Sequence, residues 1–255
     1  GSVAFQGVSF THPNSSVPAL ANVSFSIGAG ERVAIVGRSG SGKTTLAKLI
    51  AGLFDPTSGA VLVSGTDVRQ LDPQQLRRAI GCVPQDPFLF NGTLRENIAY
   101  GAQAVDDETL LKAAREAGVD EFARLHPQGY DLPVGERGSR LSGGQRQAVV
   151  LARALAAPRS LLLLDEPSSS LDHVAEQFLR QRLARRTPGE TLLLITHRLS
   201  MLDLVDRVIV LHNAQVALDG PRDAVMRPLR GAAETPAHPA TGTGAGGAQQ
   251  LPAGA

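Results

Sequence analysis

The sequence is poor in cysteine and in aromatic residues. Its 255 residues include one cysteine, Cys82, no tryptophan, and only 4% Phe, Tyr and Trp together. A single cysteine forms no internal disulfide and supplies no thiolate cluster for a metal ion, so disulfide-stapled domains and cysteine-based zinc folds are excluded. This composition is typical of a protein from a reducing compartment.

The sequence also lacks an excess of one charge and a long apolar run. Lys and Arg number 25 against 24 Asp and Glu, which gives a formal net charge of +1. This balance disfavours nucleic-acid binding through bulk charge, and we expect no nucleic-acid partner. No apolar run approaches the about 20 residues of a membrane span, so we expect none in this chain. Gly1 and Ser2 open the sequence without a methionine, which suggests a domain cut from a longer protein.

An alternation of strand and helix patterns is what the sequence does contain. Its hydrophobic content, 42%, is enough for one large core. Residues 3–27 hold short β-type runs around a turn at His12, typical of an antiparallel hairpin or small sheet. Apolar runs at residues 32–36, 161–164 and 192–195 have the length of buried strands, with helical patterns between them. We therefore predict an α/β fold with a mostly parallel sheet and an N-terminal antiparallel β-subdomain.

Two further stretches depart from this alternation. Residues 86–157 show helical patterns, the clearest at 106–117 and 144–156, and no buried strand, so we predict an inserted α-helical subdomain. Residues 231–255 are mostly small residues and proline, which cannot offset the entropy of ordering, so we predict a disordered tail. The predicted folded domain spans residues 1–230.

The strongest local signal is a phosphate loop at residues 37–44. The segment fits G-x-x-x-x-G-K-[ST] and lies between a predicted strand and a predicted helix, the context that the pattern requires. Its glycines let successive N–H groups point inward, and the helix start adds its positive end. Lys43 would neutralise the β and γ oxygens of a nucleotide, and the Thr44 hydroxyl would coordinate Mg²⁺. The residues predicted to bind ATP here are Gly37, Arg38, Ser39, Gly40, Ser41, Gly42, Lys43, Thr44 and Thr45.

A pair of carboxylates follows the second buried strand. Four leucines lead into Asp165 and Glu166, which places both at the carboxyl edge of the sheet, beside the phosphate loop. Asp165 would hold Mg²⁺, and Glu166 is the candidate base for the attacking water. The loop and the pair together predict ATP and Mg²⁺ as ligands.

A second glycine-containing turn precedes another predicted helix. Ser142 stands near the helix start, and Gly143 and Gly144 leave backbone N–H groups uncovered, which favours an anion. Leu-Ser-Gly-Gly-Gln, with the phosphate loop upstream and Leu-Leu-Leu-Leu-Asp-Glu-Pro downstream, resembles the nucleotide-binding domain of ABC proteins. The resemblance covers residues 3–228 and implies a P-loop NTPase (RecA-like) core that binds and hydrolyses ATP.

The resemblance also assigns roles to individual residues. Gln85 is similar to the glutamine that reaches Mg²⁺ and the attacking water, and His197 to the histidine that contacts the γ-phosphate. Asp172 ends a segment similar to the D-loop, which usually has Ala where this chain has Ser170. The implied catalytic residues are Glu166, His197 and Gln85, and the implied Mg²⁺ ligands are Thr44, Gln85 and Asp165. The signature turn implied to bind ATP consists of Ser142, Gly143, Gly144 and Gln145.

One position departs from the family pattern. Proteins of this class usually place a tyrosine upstream of the phosphate loop to stack on adenine, and this chain has His12 there. An imidazole offers less area for stacking, so the affinity for adenine or the selectivity for the base would be weaker. The alternative is that His12 is only a turn residue.

A pair of chains is a further implication of the resemblance. In the family, the phosphate loop and the signature turn that hold one ATP come from opposite subunits. A two-fold homodimer would therefore enclose two equivalent ATP molecules. Binding of ATP would join the copies, and hydrolysis would release them.

Several segments resemble exporters within the family. Residues 134–138 are similar to the X-loop, which touches the cytoplasmic helices of a transmembrane domain. Residues 71–78, 90–98, 197–202 and 204–208 are similar to type I secretion exporters, which move RTX proteins and large adhesins in Gram-negative bacteria. The expected function is thus the ATPase of such an exporter, with a secreted protein as substrate. It would act at the cytoplasmic face of the inner membrane, with a transmembrane domain fused before Val3.

Two alternatives remain open from the sequence. An exporter of lipids or drugs would share every ATPase residue and differ only in its membrane part. A soluble ABC ATPase of DNA repair or translation would carry a long coiled coil or a second cassette, and neither pattern is present in this sequence.

Overall fold

The computed structural model describes residues 1–102, 105–185 and 189–233. Its strands are β1 (Val3–Phe10), β2 (Leu20–Ile27), β3 (Arg32–Val36), β4 (Ser58–Val63), β5 (Thr66–Asp67), β6 (Ile80–Val83), β7 (Leu161–Asp165), β8 (Thr191–Ile195), β9 (Arg207–His212) and β10 (Gln215–Pro221). Its α-helices are α1 (Lys43–Ile50), α2 (Pro73–Ala79), α3 (Leu94–Ala99), α4 (Asp107–Ala117), α5 (Asp120–Ala123), α6 (Gly143–Leu155), α7 (His173–Ala184) and α8 (Arg222–Ala233).

Six strands form the central sheet, in the order β10-β9-β3-β8-β7-β6. The five strands from β9 to β6 run parallel, and β10 pairs antiparallel with β9 at the edge. Alternate residues of β7 enter two different cores: Leu162 and Leu164 pack with helices α4, α6 and α7, whereas Leu161 and Leu163 pack with α1 and the second sheet. Burial on both faces explains the unbroken leucine run, and the mostly parallel sheet is confirmed.

The second sheet is antiparallel, with the strand order β2-β1-β4-β5. Its pair β1 and β2 is the predicted N-terminal hairpin, and inward side chains alternate with outward ones along both strands except where the register shifts, near Gly7 and Asn22. Phe5 and Phe25 stack across the pair with ring centroids 4.8 Å apart. The predicted β-subdomain is therefore confirmed, and β4 and β5 extend it with a segment that sequence analysis left unassigned.

The regular elements among the described residues between β6 and β7 are helices. Helices α3, α4, α5 and α6 lie inside the predicted interval 86–157, and α6 packs against both α3 and α4. The described residues of this interval contain no strand, only a single bridge between Thr93 and Pro133. The division of the chain into domains stays a prediction.

The C-terminal boundary differs from the expected one. Helix α8 continues to Ala233, three residues past the predicted end of the domain at 230, because the two alanines at 232 and 233 are strong helix formers. The rest of the predicted disordered tail, residues 234–255, lies outside the described residues. Within the described part of the chain, no helix combines the length and the apolar character needed to cross a bilayer.

The central sheet brings three segments to one edge. The strands β3, β8 and β7 are neighbours and parallel, so their carboxyl ends point the same way. The phosphate loop follows β3, the segment with His197 follows β8, and Asp165 ends β7 with Glu166 directly after it. Parallel topology therefore gathers residues that are more than 100 positions apart in the sequence.

Candidate active site

The phosphate loop leads directly into the first turn of α1. Gly42 occupies the N-cap with a left-handed backbone (φ 101°), and a Cβ atom there would lie 2.3 Å from the carbonyl oxygen of Ala19, so only glycine fits. No side chain caps this helix, and its first turn holds no acidic residue. The buried Lys43 donates from Nζ to the carbonyl oxygens of Gly37 and Arg38 at 2.8 and 3.0 Å. The helix start thus presents uncapped N–H groups and an ammonium, which suits a phosphate chain.

Asp165 is a buried carboxylate with incomplete hydrogen bonding. It is 4% exposed, it accepts a hydrogen bond from the Thr44 side chain, and its Oδ1 has no partner among the described residues. Burial raises the pKa of Asp165 above its usual range, the charge of Glu166 also raises it, and Thr44, Lys43 and Lys48 lower it by less. A cation bound to Oδ1 would account for a carboxylate that is buried with incomplete hydrogen bonding.

The oxygen donors at this point fit Mg²⁺. Asp165 and the Thr44 hydroxyl are adjacent hard ligands, and Mg²⁺ in nucleotide sites needs only one or two protein ligands besides phosphate oxygens and water. No group of three or more His, Cys, Asp or Glu side chains able to hold a metal occurs in the described ranges.

Glu166 and His197 form a hydrogen-bonded pair. Oε1 of Glu166 lies 2.8 Å from Nδ1 of His197, and the His197 N–H donates to Oε2 at 3.4 Å. Glu166 is 6% exposed and has a left-handed backbone (φ 49°), whereas the His197 side chain is 62% exposed. The backbone N–H of Glu166 donates to Ile195 O at 2.8 Å, which fixes the backbone after β7 against β8. Both oxygens of this buried carboxylate therefore contact His197.

Sequence analysis predicted both residues of this pair but missed their contact. The available signal was the position of each residue after neighbouring parallel strands, because the register of the sheet pairs Asp165 with Ile195. That signal predicts a contact only once β7 and β8 are known to be neighbours in the sheet.

A cleft of about 610 Å³ opens in front of these groups. The predicted site residues that line it are His12, Gly37, Arg38, Ser39, Gly40, Gly42, Lys43, Thr44, Thr45, Gln85, Glu166 and His197. Ser41 differs from its neighbours because it is buried inside the loop and packs against Gly37. The volume lies within the usual range of ligand sites.

His12 and Gln85 stand at the rim of the cleft. Nε2 of His12 is 3.3 Å from the Thr45 hydroxyl, and its ring meets Phe10 and Phe54 edge to face, at centroid distances of 4.9 and 5.6 Å. Gln85 is exposed and follows the end of β6 by two residues. These contacts place the imidazole beside the start of α1 and leave its role toward adenine a prediction.

The signature turn does not belong to this cleft. Ser142 caps α6: its hydroxyl accepts the N–H of Gln145 at 3.2 Å, and Gln145 Oε1 accepts the N–H of Ser142 at 2.9 Å. Gly143 lies against Ser170, with 3.4 Å between an ideal Cβ on the glycine and Cβ of the serine. Asp172 likewise uses its carboxylate to cap α7, at 2.8 Å from the N–H of Ala175. None of the predicted ATP contacts Ser142, Gly143, Gly144, Gln145 and Asp172 lines the cleft formed by the described residues of this chain.

Comparison with known families identifies this arrangement. A family model described as ABC transporter matches residues 20–169, more than half of the chain. The chain belongs to the ABC transporter family. It is an ABC ATPase domain, an enzyme that binds and hydrolyses ATP.

Individual ABC proteins resemble this domain closely. The ATP-dependent lipid A-core flippase of Syntrophus aciditrophicus (strain SB) is 42% identical over 224 residues, which make up 88% of this chain and 37% of that protein. The mitochondrial potassium channel ATP-binding subunit of Rattus norvegicus is 42% identical over 229 residues, 89% of this chain and 32% of that protein. A solved structure, described as a bacterial Atm1-family ABC exporter with ATP bound, matches with a TM-score of 0.84 and 39% identity, covering 89% of this chain and 40% of that one.

The names of these relatives bear on the predicted cargo. The chain spans about a third to two fifths of each relative. The prediction of type I secretion is not supported, because none of the three is named as a protein secretion system. The flippase and the exporter fit the alternative, a lipid or drug exporter, better.

Proposed function

We propose that this ABC ATPase domain is the motor of a membrane exporter for lipids or other small amphiphilic molecules and that it works as a pair of copies with ATP held between them. The observation that carries the proposal is the separation of two anion-binding helix starts. The phosphate loop opens into the cleft with Glu166 and His197, whereas Ser142 lies outside it. One ATP can meet both only if the second helix start comes from another copy.

The phosphate loop would bind the nucleotide. The N–H groups before α1 would face the phosphate oxygens, and Lys43 would move its ammonium from the carbonyl oxygens of the loop to the β and γ phosphates. Thr44, Asp165 and Gln85 would hold Mg²⁺, which neutralises charge on the phosphates when bound. His12 would lie beside the base, since it lines the same cleft next to Thr45.

Glu166 would orient and deprotonate the attacking water. Its buried position, next to the phosphate loop and close to Asp165, places a carboxylate at the end of the cleft where a γ-phosphate would lie. His197 would hold that carboxylate through Nδ1, and its exposed ring would face the γ-phosphate. The signature turn of the partner copy would close the site with the uncovered N–H groups of α6 and the Ser142 hydroxyl.

The names and the greater length of the relatives support a location at a membrane. Each relative named above is two and a half to three times longer than the matched segment. We propose that a transmembrane domain is fused to this domain in the parent protein and that the ATPase faces the cytoplasm. Because a flippase and a potassium channel subunit share this type of motor, the membrane part would choose the cargo.

Replacing the proposed base tests the mechanism. Glu166→Gln keeps the shape of the side chain and removes its basicity, so phosphate release from ATP should fall by a factor of about 10² to 10⁴. Because ATP would then persist, the variant should elute as a dimer with ATP and Mg²⁺ and as a monomer without nucleotide. The double variant Lys43→Met, Glu166→Gln is the control and should elute as a monomer in both conditions. A Glu166→Gln protein that stays monomeric with saturating ATP contradicts the shared-ATP pair.

The cargo class needs the whole transporter. The full-length parent protein, reconstituted in liposomes, should show ATPase activity that rises with lipid or a hydrophobic drug in the bilayer, and labelled lipid should move between leaflets only with ATP. Stimulation by an unfolded polypeptide alone, without lipid movement, would favour protein secretion instead. The Glu166→Gln transporter serves as the inactive control.

A further inference from the structure

The segment that follows β8 carries His197 and is fixed on both sides of it. Before His197, the buried Thr196 donates its N–H to Ile35 O at 3.2 Å, and its hydroxyl accepts the N–H of Arg198 at 3.0 Å. After it, a 3₁₀ turn runs over Leu199–Leu204. The position of the imidazole therefore depends on what holds this segment.

A buried carboxylate on α7 receives two polar side chains that follow His197 in the chain. The side chain of Glu176 is 5% exposed, and its oxygens accept hydrogen bonds from Nη1 of Arg198 and from the hydroxyl of Ser200. Burial raises the pKa of Glu176, but the hydrogen bonds from Ser200 and Arg198 lower it by more, so the pKa lies below its usual range. Glu176 is thus ionised at neutral pH and engaged at both oxygens.

Stability alone does not explain this ion pair, in which the Glu176 carboxylate is buried and the Arg198 side chain is 30% exposed. Removing the carboxylate from water offsets much of its attraction to the guanidinium, and apolar side chains of similar volume often fill such a place equally well. An ionised carboxylate with two donors adds direction, because it fixes a guanidinium and a hydroxyl at defined distances. The ion pair between Glu176 and Arg198 therefore fixes the segment after β8 in one position against α7, whereas apolar contacts would hold that segment less specifically.

We propose that Glu176 is a positioning residue for ATP hydrolysis: through Arg198 and Ser200 it holds His197 where Nδ1 meets Glu166. The inference rests on the roles proposed above for His197 and Glu166. Glu176 does not line the ATP cleft, so it acts on the geometry of the reacting groups and not on the binding of nucleotide. Its loss should lower kcat and leave KM for ATP almost unchanged.

The test is a double-mutant cycle between Glu176→Gln and His197→Ala in the full 255-residue chain, read as steady-state phosphate release with ATP and Mg²⁺. Glutamine keeps the size and one acceptor oxygen but removes the charge that aligns Arg198. We expect Glu176→Gln alone to lower kcat about 10- to 100-fold, as for a reacting group misplaced by about 1 Å, and to change KM by less than about twofold. In the His197→Ala background it should change kcat by less than about twofold, because the group that it positions is gone.

The chain offers a matched control. Arg180 of α7 pairs with Asp203 of the 3₁₀ turn at 2.6 Å, so this ion pair joins the same two segments of the chain as Glu176 and Arg198. Asp203 is 64% exposed, and pairs of this kind contribute little. Asp203→Asn should therefore leave kcat and KM within about twofold of the wild type. Thermal unfolding of every variant, followed by circular dichroism, checks that the fold is retained.

Two kinds of outcome would overturn the proposal, and they are distinguishable. If His197→Ala lowers kcat but Glu176→Gln leaves it unchanged, the role of Glu176 is wrong and the proposed function stands. The role of Glu176 is equally wrong if Glu176→Gln lowers kcat by the same factor in both backgrounds, since it then acts without His197. If His197→Ala itself is fully active, the proposed role of His197 fails, and the positioning role fails with it.

Discussion

The two glycine-containing helix starts of this domain differ in what surrounds them. At α1 the N-cap is a glycine without a side chain, and the ammonium of Lys43 lies over the loop. Asp165 stands beside it with one oxygen that has no hydrogen-bond partner in the described part of the chain. At α6 the cap is closed by a reciprocal pair of hydrogen bonds between Ser142 and Gln145, and Arg146 donates back to Leu141 O at 2.7 Å.

This difference indicates separate roles for the two helix starts in the proposed mechanism. The first carries the ionisable groups and is electrostatically unbalanced without a ligand, so in the proposed mechanism it would bind the charged nucleotide and perform the chemistry. The second is only partly satisfied by its own side chains, through the Ser142 and Gln145 hydrogen bonds, and its other backbone N–H groups would add neutral donors. It is suited to recognise a nucleotide that another copy has already bound.

Removal of the Lys43 ammonium from the first helix start should have the largest effect, and that effect should be on the affinity for ATP. Lys43→Met keeps the length of the side chain and deletes its charge, so the affinity for ATP with Mg²⁺ should fall by a factor of about 100 to 1,000. Lys48→Met is the control, because Lys48 lies on the same helix, 5.4 Å over the ring of Phe54, and outside the cleft. Isothermal titration gives both affinities, and an equal loss in the two variants would remove the special role of Lys43.

Mixing two inactive chains tests whether the helix starts act across a pair. Lys43→Met damages the first helix start and Ser142→Arg the second, and each variant alone should be inactive. In an equal mixture half of the dimers contain one copy of each, and one of their two sites is intact, so activity should return to roughly a quarter of the wild type. A mixture of Lys43→Met with Glu166→Gln should stay inactive, because both changes damage the site on their own copy. No recovery in the first mixture would contradict the shared site.

Replacing Asp165 with a neutral residue should make the folded protein more stable, because it removes a buried charge beside the first helix start. Its raised pKa means that the folded state holds the proton more tightly than the unfolded state, so folding stability falls as the pH rises through the carboxyl range and stays lower above it. Without nucleotide or Mg²⁺, Asp165→Asn should therefore be more stable at pH 7, by about 1 kcal/mol or about 2–4 °C in Tm.

The gain from Asp165→Asn should shrink as the pH is lowered through the carboxyl range, because the wild-type side chain then becomes neutral as well. Differential scanning calorimetry in EDTA at several pH values measures it. Added Mg²⁺ with ATP should stabilise the wild type more than the variant. A variant that is less stable than the wild type at pH 7 would show that Asp165 is not a source of strain.

The smallest expected effect concerns the base of the nucleotide. His12→Tyr enlarges the ring available for stacking, which is worth about 0.5–1.5 kcal/mol, so KM for ATP should fall between about twofold and tenfold while kcat stays unchanged. His12→Ala should raise KM. If all three proteins have the same KM, His12 is a turn residue whose contacts with Phe10 and Phe54 are structural.

Sequence reasoning found the parts of the molecule whose signals are local. The strands β3, β7 and β8 are short apolar runs, and the phosphate loop and the carboxylates are contiguous motifs. The strand β10 has no such signal, since most of its residues are exposed, and β6 is only four residues long with a glycine inside. Both became visible only through their pairing with other strands.

In the candidate site, contacts that depend on register or on relative placement were not predictable. The pairing of Glu166 with His197 and of Glu176 with Arg198 requires the sheet order and the packing of α7. The outward placement of Ser142 likewise follows from the packing of the helical segment and not from the turn itself. The sequence resemblance suggested a shared site, and the geometry adds the reason for it.

The order of strands also sets when this enzyme can become functional during its synthesis. The strand β3, which positions the phosphate loop, pairs on one side with β8 and on the other with β9, and both are translated more than 150 residues later. A nascent chain that lacks β9 therefore carries the whole phosphate loop on a strand with an open apolar edge, a state prone to aggregation and chaperone capture. Loss of the last strands would abolish nucleotide binding from a distance, although the phosphate loop itself would be untouched.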